Sequence, residues 1–336
     1  MVLVPAASVS GMHQSGPDSS ARFRSVLSQD ADEHARNLSA WDQTYEQLGP
    51  GAFSGRLDEI WLEDLQLFRE RTNLQVLQTG LPWPGARTFG IPLAVGGEGS
   101  FQGKPVGDAT IVTFGPAQEL YLRTPALLDV VGISLPADRL QALGLQIDGF
   151  DPEAFLADRC LLPLAADTMT GVRAYLRALF ETLEHAPQTL LPAPVQRAIR
   201  DAVIELLFNA TRAAEAEPSL GTGSAAHYAA ARLARDYIAA RTAEPLTVLE
   251  VCRALGISRR TLQTSFQAVL GVSPHQYLHA VRLNGLRRAL RAAPPGASVL
   301  ALAADWGFWH PSSCAAEYRK LFGELPSTTL RRHHDS

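Results

Sequence analysis

The strings RALGISRRTLQTSFQAVLGVSP (residues 253–274) and WGFWHPSSCAAEYRKLFGELP (residues 306–326) decide how this chain is read. Just upstream of the first, Thr247 and Glu250 form a T-x-x-E capping box, and Val248, Val251, Cys252 and Leu255 fall on one face of a short helix. Gly256 stops that helix, Ser258 caps another, and Leu262, Phe266, Val269 and Leu270 give the second helix its buried side. Two short helices around a tight Gly-Ile-Ser turn are a helix-turn-helix. A shift of 51 residues carries Val248, Val251, Cys252, Leu255, Gly256 and Ile257 onto Val299, Leu302, Ala303, Trp306, Gly307 and Phe308. A shift of 52 carries Leu262, Phe266, Val269, Leu270, Gly271 and Pro274 onto Cys314, Tyr318, Leu321, Phe322, Gly323 and Pro326. The motif is therefore doubled, in units at about 246–271 and 298–323.

The outer faces of the two second helices carry the chemistry. At ~100° per residue, a core centred on Leu262 and Phe266 turns Arg260, Gln263, Thr264 and Gln267 outward. These side chains read base edges: arginine pairs bidentately with guanine, glutamine with adenine, and threonine offers a hydroxyl and a methyl. With Arg259 they form the expected base-contacting set of the first unit. The second unit turns out Ser312, Ala315, Ala316 and Arg319. Ser312 and Ala316 are assigned close approach to bases, Arg319 and Lys320 contact with phosphate. An all-helical bundle with a polar exterior is the bland alternative. Between the units, Pro274 opens an amphipathic run over His275–Ala293 that implies a connecting helix ~30 Å long, against ~34 Å between successive major grooves on one DNA face. Its Arg282, Arg287, Arg288 and Arg291 either line a DNA backbone or are simply solvated.

Charge follows the same division. Residues 225–336 hold 14 Arg or Lys against 7 Asp or Glu, a balance of +7, so residues 1–224 carry -11 of the total of -4. A basic module on an acidic body is what a polyanion-binding domain attached to another domain looks like. Residues 215–224 read as a linker. Residues 51–165 read as an all-β sandwich or barrel: residues 80–149 hold 19 Gly or Pro, between branched or aromatic runs such as Ile111–Phe114 and Val130–Leu135. Residues 1–50 are expected to be an extension, partly disordered or helical. Helices are expected over Met169–His185 and Pro194–Arg212, and the stripe Val195, Ile199, Val203, Leu206 and Leu207 serves either core packing or a dimer seam.

From Leu246 to Arg332 the sequence closely resembles the AraC/XylS family of bacterial transcription regulators, with G-x-S before the first recognition helix, and G-F and Y-x-x-x-F-G-x-x-P around the second. The resemblance implies a multidomain α and β chain: an N-terminal cupin-like β-barrel binding a small effector, flanking helices over 166–214 that dimerise it, and a DNA-binding domain over 225–336. It further implies promoter DNA and RNA polymerase as partners, with activation the expected outcome. Where the family carries a large apolar residue, often Phe, this chain has Cys314, read as a small hydrophobe or, less favourably, a redox site.

Other classes find little support. No histidine lies between Arg36 and Glu184, so the β-rich region lacks the ligands of a cupin metal enzyme. Neither a Walker A, a GxGxxG nor a GxSxG motif is present, and no catalytic residue, cofactor or metal is expected. The competing reading is a small-molecule-binding or enzymatic β-barrel protein with a vestigial DNA module. Cys160, Cys252 and Cys314 are too scattered for a disulfide framework, and the absence of a signal peptide or membrane span points to the cytoplasm. The effector site is unknown. Trp61, Phe68, Arg69, Arg71 and Trp83 are its loose candidates, each equally accounted for by core or surface.

Overall fold

The computed structural model describes residues 23–147, 149–190, 192–217, 225–242 and 246–334. The strands are β1 (Phe23–Ser28), β2 (Asp42–Gln47), β3 (Gly55–Leu62), β4 (Leu65–Thr72), β5 (Val76–Leu81), β6 (Ala86–Gly96), β7 (Gly99–Phe101), β8 (Lys104–Val106), β9 (Thr110–Phe114), β10 (Leu120–Arg123), β11 (Leu127–Pro136) and β12 (Leu161–Pro163). Seven of them form an antiparallel sheet in the order β1-β3-β4-β11-β6-β9-β12, and five form a second in the order β2-β5-β10-β7-β8. The expected barrel is thus two facing sheets, and among the described residues no strand pairing closes one onto the other. Phe101, Leu120 and Leu122 of the smaller sheet meet Val112, Phe114 and Leu161 of the larger across an apolar interior. Period-two alternation makes this possible, because each strand offers one face to the interior and the other elsewhere. Within the larger sheet, Gly90 of β6 leaves room for its cross-strand neighbour Val112 of β9: a Cβ there would lie 2.6 Å from Val112 Cγ2.

The segment read as an N-terminal extension is, from Phe23 onward, part of this domain. β1 pairs with β3 and β2 with β5, and α1 (Ala31–Asn37), capped by Asp30, links them. Residues 1–22 lie outside the described residues. The reason is visible in hindsight: Phe23–Ser28 is a short edge strand with Leu27 exposed, too brief to show a clear alternation.

The outer face of the larger sheet is covered by α2 (Ala137–Ile147), α3 (Pro152–Leu156), α4 (Ala166–His185) and α5 (Ala193–Glu215). Val172, Leu176, Phe180 and Leu183 of α4 and Val203, Leu207 and Phe208 of α5 pack on Ile60, Leu67, Ile91, Val131 and Ile133. Each such fully buried side chain stabilises by ~1.5–3 kcal/mol. The α5 stripe therefore serves the core, with Val203 and Leu207 at 0% exposure and only Val195 left open at 37%. Of the expected linker 215–224, residues 218–224 lie outside the described residues.

The C-terminal domain comprises α6 (Ala225–Ala239), α7 (Val248–Leu255), α8 (Arg259–Leu270), α9 (Pro274–Ala292), α10 (Val299–Asp305), α11 (Pro311–Phe322) and α12 (Pro326–His334). α9, 19 residues and ~28 Å long, runs from one helix-turn-helix to the other before Pro294, Pro295 and Gly296 end it. Each unit has its own core, one around Leu262, Phe266 and Tyr277, the other around Leu286, Tyr318 and Phe322.

Candidate DNA-reading surface

The two units repeat hydrogen bond by hydrogen bond. Thr247 Oγ1 accepts from Glu250 N–H, and 51 residues on Ser298 Oγ accepts from Ala301 N–H. Ile257 N–H donates to the Cys252 carbonyl at 3.1 Å, and Phe308 N–H to the Ala303 carbonyl at 2.9 Å, both closing the helix end after a left-handed glycine, Gly256 or Gly307. Gly271 and Gly323 repeat the device after α8 and α11, donating to the Gln267 and Arg319 carbonyls. The copies differ where their side chains differ. Glu250 completes a capping box that Ala301 cannot, and Ser258 caps α8 whereas His310 gives α11 no side-chain cap.

On α8, Arg259, Arg260, Gln263, Thr264 and Gln267 are all exposed, while Leu262, Ser265 and Phe266 are buried. On α11, Ser312, Ala316, Arg319 and Lys320 are exposed, and Ala315, expected to face outward, is half-buried. None of Arg259, Arg260, Arg319 and Lys320 forms an ion pair or side-chain hydrogen bond among the described residues. Exposed arginines without carboxylate partners on a helix of Gln and Thr are what a polyanion would meet. Cys314 is buried, its thiol pushed up to about 11 by burial, so it stays protonated and acts as a small core residue.

The arginines of α9 are used differently from either expectation. Arg291 Nη1 pairs with Asp30 at 2.9 Å and its Nη2 with Glu33 at 3.0 Å; Arg288 Nη2 pairs with Glu46 at 3.1 Å; Arg287 pairs with both Asp30 and Glu324. Burial opposes ionisation of Asp30, yet the Arg287 and Arg291 guanidiniums outweigh it and hold its carboxyl below the usual range. Asn284 Nδ2 donates to the Gln47 carbonyl at 3.0 Å, and Gly51 N–H to the Leu321 carbonyl at 3.0 Å. Only Arg282 stays off this patch, donating to the Leu246 carbonyl. Sequence reading missed these contacts because the acidic partners other than Glu324 lie more than two hundred residues away, in a segment read as an extension.

The first unit meets the β-rich domain through an apolar contact flanked by two arginines. Tyr121 and Leu77 join the core of Ala234, Phe266 and Tyr277, and Arg235 lies over the Tyr121 ring at 4.9 Å while pairing with Glu119 at 2.8 Å. Ser100 Oγ donates to the Val269 carbonyl at 2.8 Å, in the last turn of α8. Arg123 completes this contact. Its guanidinium packs so closely on Gly271 that a Cβ there would lie 3.2 Å from Nη1, placing a cation at the negative end of the helix.

The loose effector candidates do not converge. Arg69 is held by Asp129 at 2.8 Å, Arg71 by Asp58 and by Glu184 at 2.6 Å, and Phe68 is buried with Leu38 and Leu57. Trp61 and Trp83 lie tilted against each other elsewhere, with ring centroids 6.1 Å apart. Neither arginine is free to hold an anion.

A doubled helix-turn-helix with two exposed recognition helices on one connecting rod, carried on a two-sheet domain, defines a DNA-binding module. Residues 251–332 match the model of a helix-turn-helix domain. The chain is 44% identical over 101 residues to a probable thc operon regulatory protein of Rhodococcus erythropolis, covering 30% of each chain. It is 42% identical over 79 residues to the XylDLEGF operon transcriptional activator 1 of Pseudomonas putida, covering 23% of each. The matches thus span about a third or less of these relatives. Among solved structures, a probable AraC family transcriptional regulator from Rhodopseudomonas palustris is 36% identical, covering 31% of this chain and 97% of that one, with a TM-score of 0.29. ToxT of Vibrio cholerae, bound to a naphthalenyl-butenoic acid, is 10% identical over 92% of this chain and 98% of its own, with a TM-score of 0.31. Over residues 251–332 the chain thus carries a helix-turn-helix domain similar to those of these operon regulators.

Proposed function

We propose that this chain is a cytoplasmic, sequence-specific transcription regulator, an activator acting as a dimer in response to a small molecule. The observation that carries the reading is the bare face Arg260, Gln263, Thr264 and Gln267 on α8, repeated in form on α11. In this account the first unit supplies base readout through those residues and Arg259; the second approaches through Ser312 and Ala316 and holds phosphates with Arg319 and Lys320. RNA polymerase is the partner that turns occupancy into transcription. Dimerisation falls to the helices of residues 166–214, whose outward surface includes Ala174, Ala178 and Glu181 of α4 now that the α5 stripe is buried.

The β-rich domain senses the effector. Its interior holds an apolar cavity of about 40 Å³ between the sheets, walled by Gly90, Val112, Leu122, Leu128 and Val130. A wall without a charged or polar side chain suits a neutral, hydrophobic compound, and at this volume the two sheets must separate to admit one. Gly97 and Gly99, at the β6–β7 turn, supply the part of the wall best able to move.

Binding measurements on a duplex recovered by the protein from random sequence test this reading. Arg260→Ala is expected to cost about 1–3 kcal/mol on that duplex and to relax preference at one base pair, while Lys320→Ala weakens selected and random duplexes alike. Equal losses on both duplexes for Arg260→Ala would contradict the assignment of α8 as the reader.

A further inference from the structure

Between the two helix-turn-helix units lies a cavity of about 530 Å³ that the base-reading residues, Arg259 apart, do not line. Its walls come from the start of α7 (Leu246–Leu249), from Arg259 at the start of α8, from one stripe of α9, and from Gly307 and Trp309 in the turn before α11. Both recognition helices thus begin at its rim. The α9 stripe is His275, Leu278, His279 and Arg282, spaced so that all four share one side of the helix. Arg291, paired to the β-rich domain, lies nine residues beyond Arg282 and so half a turn around the helix at ~100° per residue. The β-rich domain therefore grips the far side of α9 and leaves this side uncovered.

The cavity's chemistry is one-sided. Arg259, His275, His279 and Arg282 line it, and no carboxylate does. The nearest acids are already engaged: Glu250 in the Thr247 capping box, and Glu317 on α11, whose Oε2 lies 2.9 Å from His279 Nε2. The imidazoles of His275 and His279 lie parallel, with centroids 6.4 Å apart. Trp309 stands at the rim with 71% of its surface exposed, an unusual expense for an indole on a polar domain.

The geometry points to a third DNA contact at this groove, where the sugar–phosphate backbone running between the two major-groove segments seats on His275 and Arg282 with Trp309 packed on a deoxyribose. The inference rests on the DNA-binding reading above. It adds a phosphate site that carries no sequence information and a reason for the bare indole. The His279–Glu317 pair ties the floor of the groove to the second recognition helix, so that seating the backbone also fixes the angle of α11.

The test uses the full chain, its selected duplex and an unselected one, with affinity measured across a salt series and phosphates mapped by ethylation interference. His275→Glu is the main variant. An acid in the first turn of α9 is compatible with the helix, so the fold is retained, and an unchanged melting curve checks this. The expected result is a loss on the order of tenfold on both duplexes, a salt slope reduced by about one counterion, and loss of the ethylation signal between the two groove segments. Trp309→Ala, at an exposed position, is expected to weaken both duplexes about threefold with the slope unchanged, because no charge is removed. Wild-type affinity, slope and ethylation pattern in His275→Glu would overturn the inference, as would a loss confined to the selected duplex. Failure of the wild-type chain to bind any duplex would overturn the underlying reading as well.

Discussion

The two reading heads share one backbone plan and are secured in different ways. The first has a capping box on α7, a serine cap on α8 and Leu262 in its core; it leans on the β-rich domain through Tyr121, Leu77 and the Ser100–Val269 hydrogen bond. The second has a plain Ser298 cap on α10, none on α11 and Cys314 where Leu262 would be; its rod is tied by ion pairs from Arg287, Arg288 and Arg291 to Asp30, Glu33 and Glu46. Each missing cap is worth about 1 kcal/mol. The comparison teaches that duplication preserves the turns and glycines that hold the shape, while the parts that set rigidity and docking diverge. A firm head suited to reading bases, docked mainly by apolar packing with one ion pair, sits beside a looser one docked mainly by charges.

The sharpest way to break this comparison is to truncate equivalent core positions. Leu262→Ala is expected to cost about 2–5 kcal/mol, whereas Cys314→Ala, which removes one buried sulfur, should cost about 1 kcal/mol. Denaturant melts of the two variants check it, and equal losses would mean that the second head is packed as firmly as the first.

Smaller, but specific to the ionic side, is a dependence on pH. Burial drives the Glu46 carboxyl from 4.5 up to about 7, only partly offset by the Arg288 guanidinium with which it pairs, so the pair is charged only toward the upper end of the neutral range. A carboxyl raised in the folded state contributes stability that is complete below its ordinary value and is lost as pH rises through about 7. Asp30, lowered by its arginines, works in the opposite sense: its contribution is present above the ordinary carboxylate range and lost on acidification. The melting temperature of the wild type should therefore fall between pH 5 and 8 relative to Glu46→Gln, in which that slope disappears. Parallel pH curves for the two proteins would remove Glu46 from the account.

Much of the C-terminal domain was legible in the sequence because its determinants are local. Caps, turn glycines and apolar spacing act within four residues, and the 51-residue shift matched Ile257 to Phe308, whose N–H groups close the two helix ends in the same way. The exposure of Arg260, Gln263 and Thr264 followed from helix geometry alone. What escaped depends on contacts remote in sequence. Arg287, Arg288 and Arg291 have no local sign that acids near residue 30 await them, and an arginine run reads the same whether it faces phosphate, water or a carboxylate. Two facing sheets likewise share their alternation with a closed barrel, so the strand pattern cannot tell one from the other. The groove at His275 and Trp309 is assembled from four separate elements and has no motif at all.

Methylation interference on the selected duplex tests the central claim, that two unequal heads read one DNA face, most directly. The account predicts two clusters of sensitive major-groove guanines about one helical turn, ~10 base pairs, apart, with the stronger cluster shifted by Arg260→Ala and the weaker one left in place. A single cluster, or two that respond equally to Arg260→Ala, would contradict it.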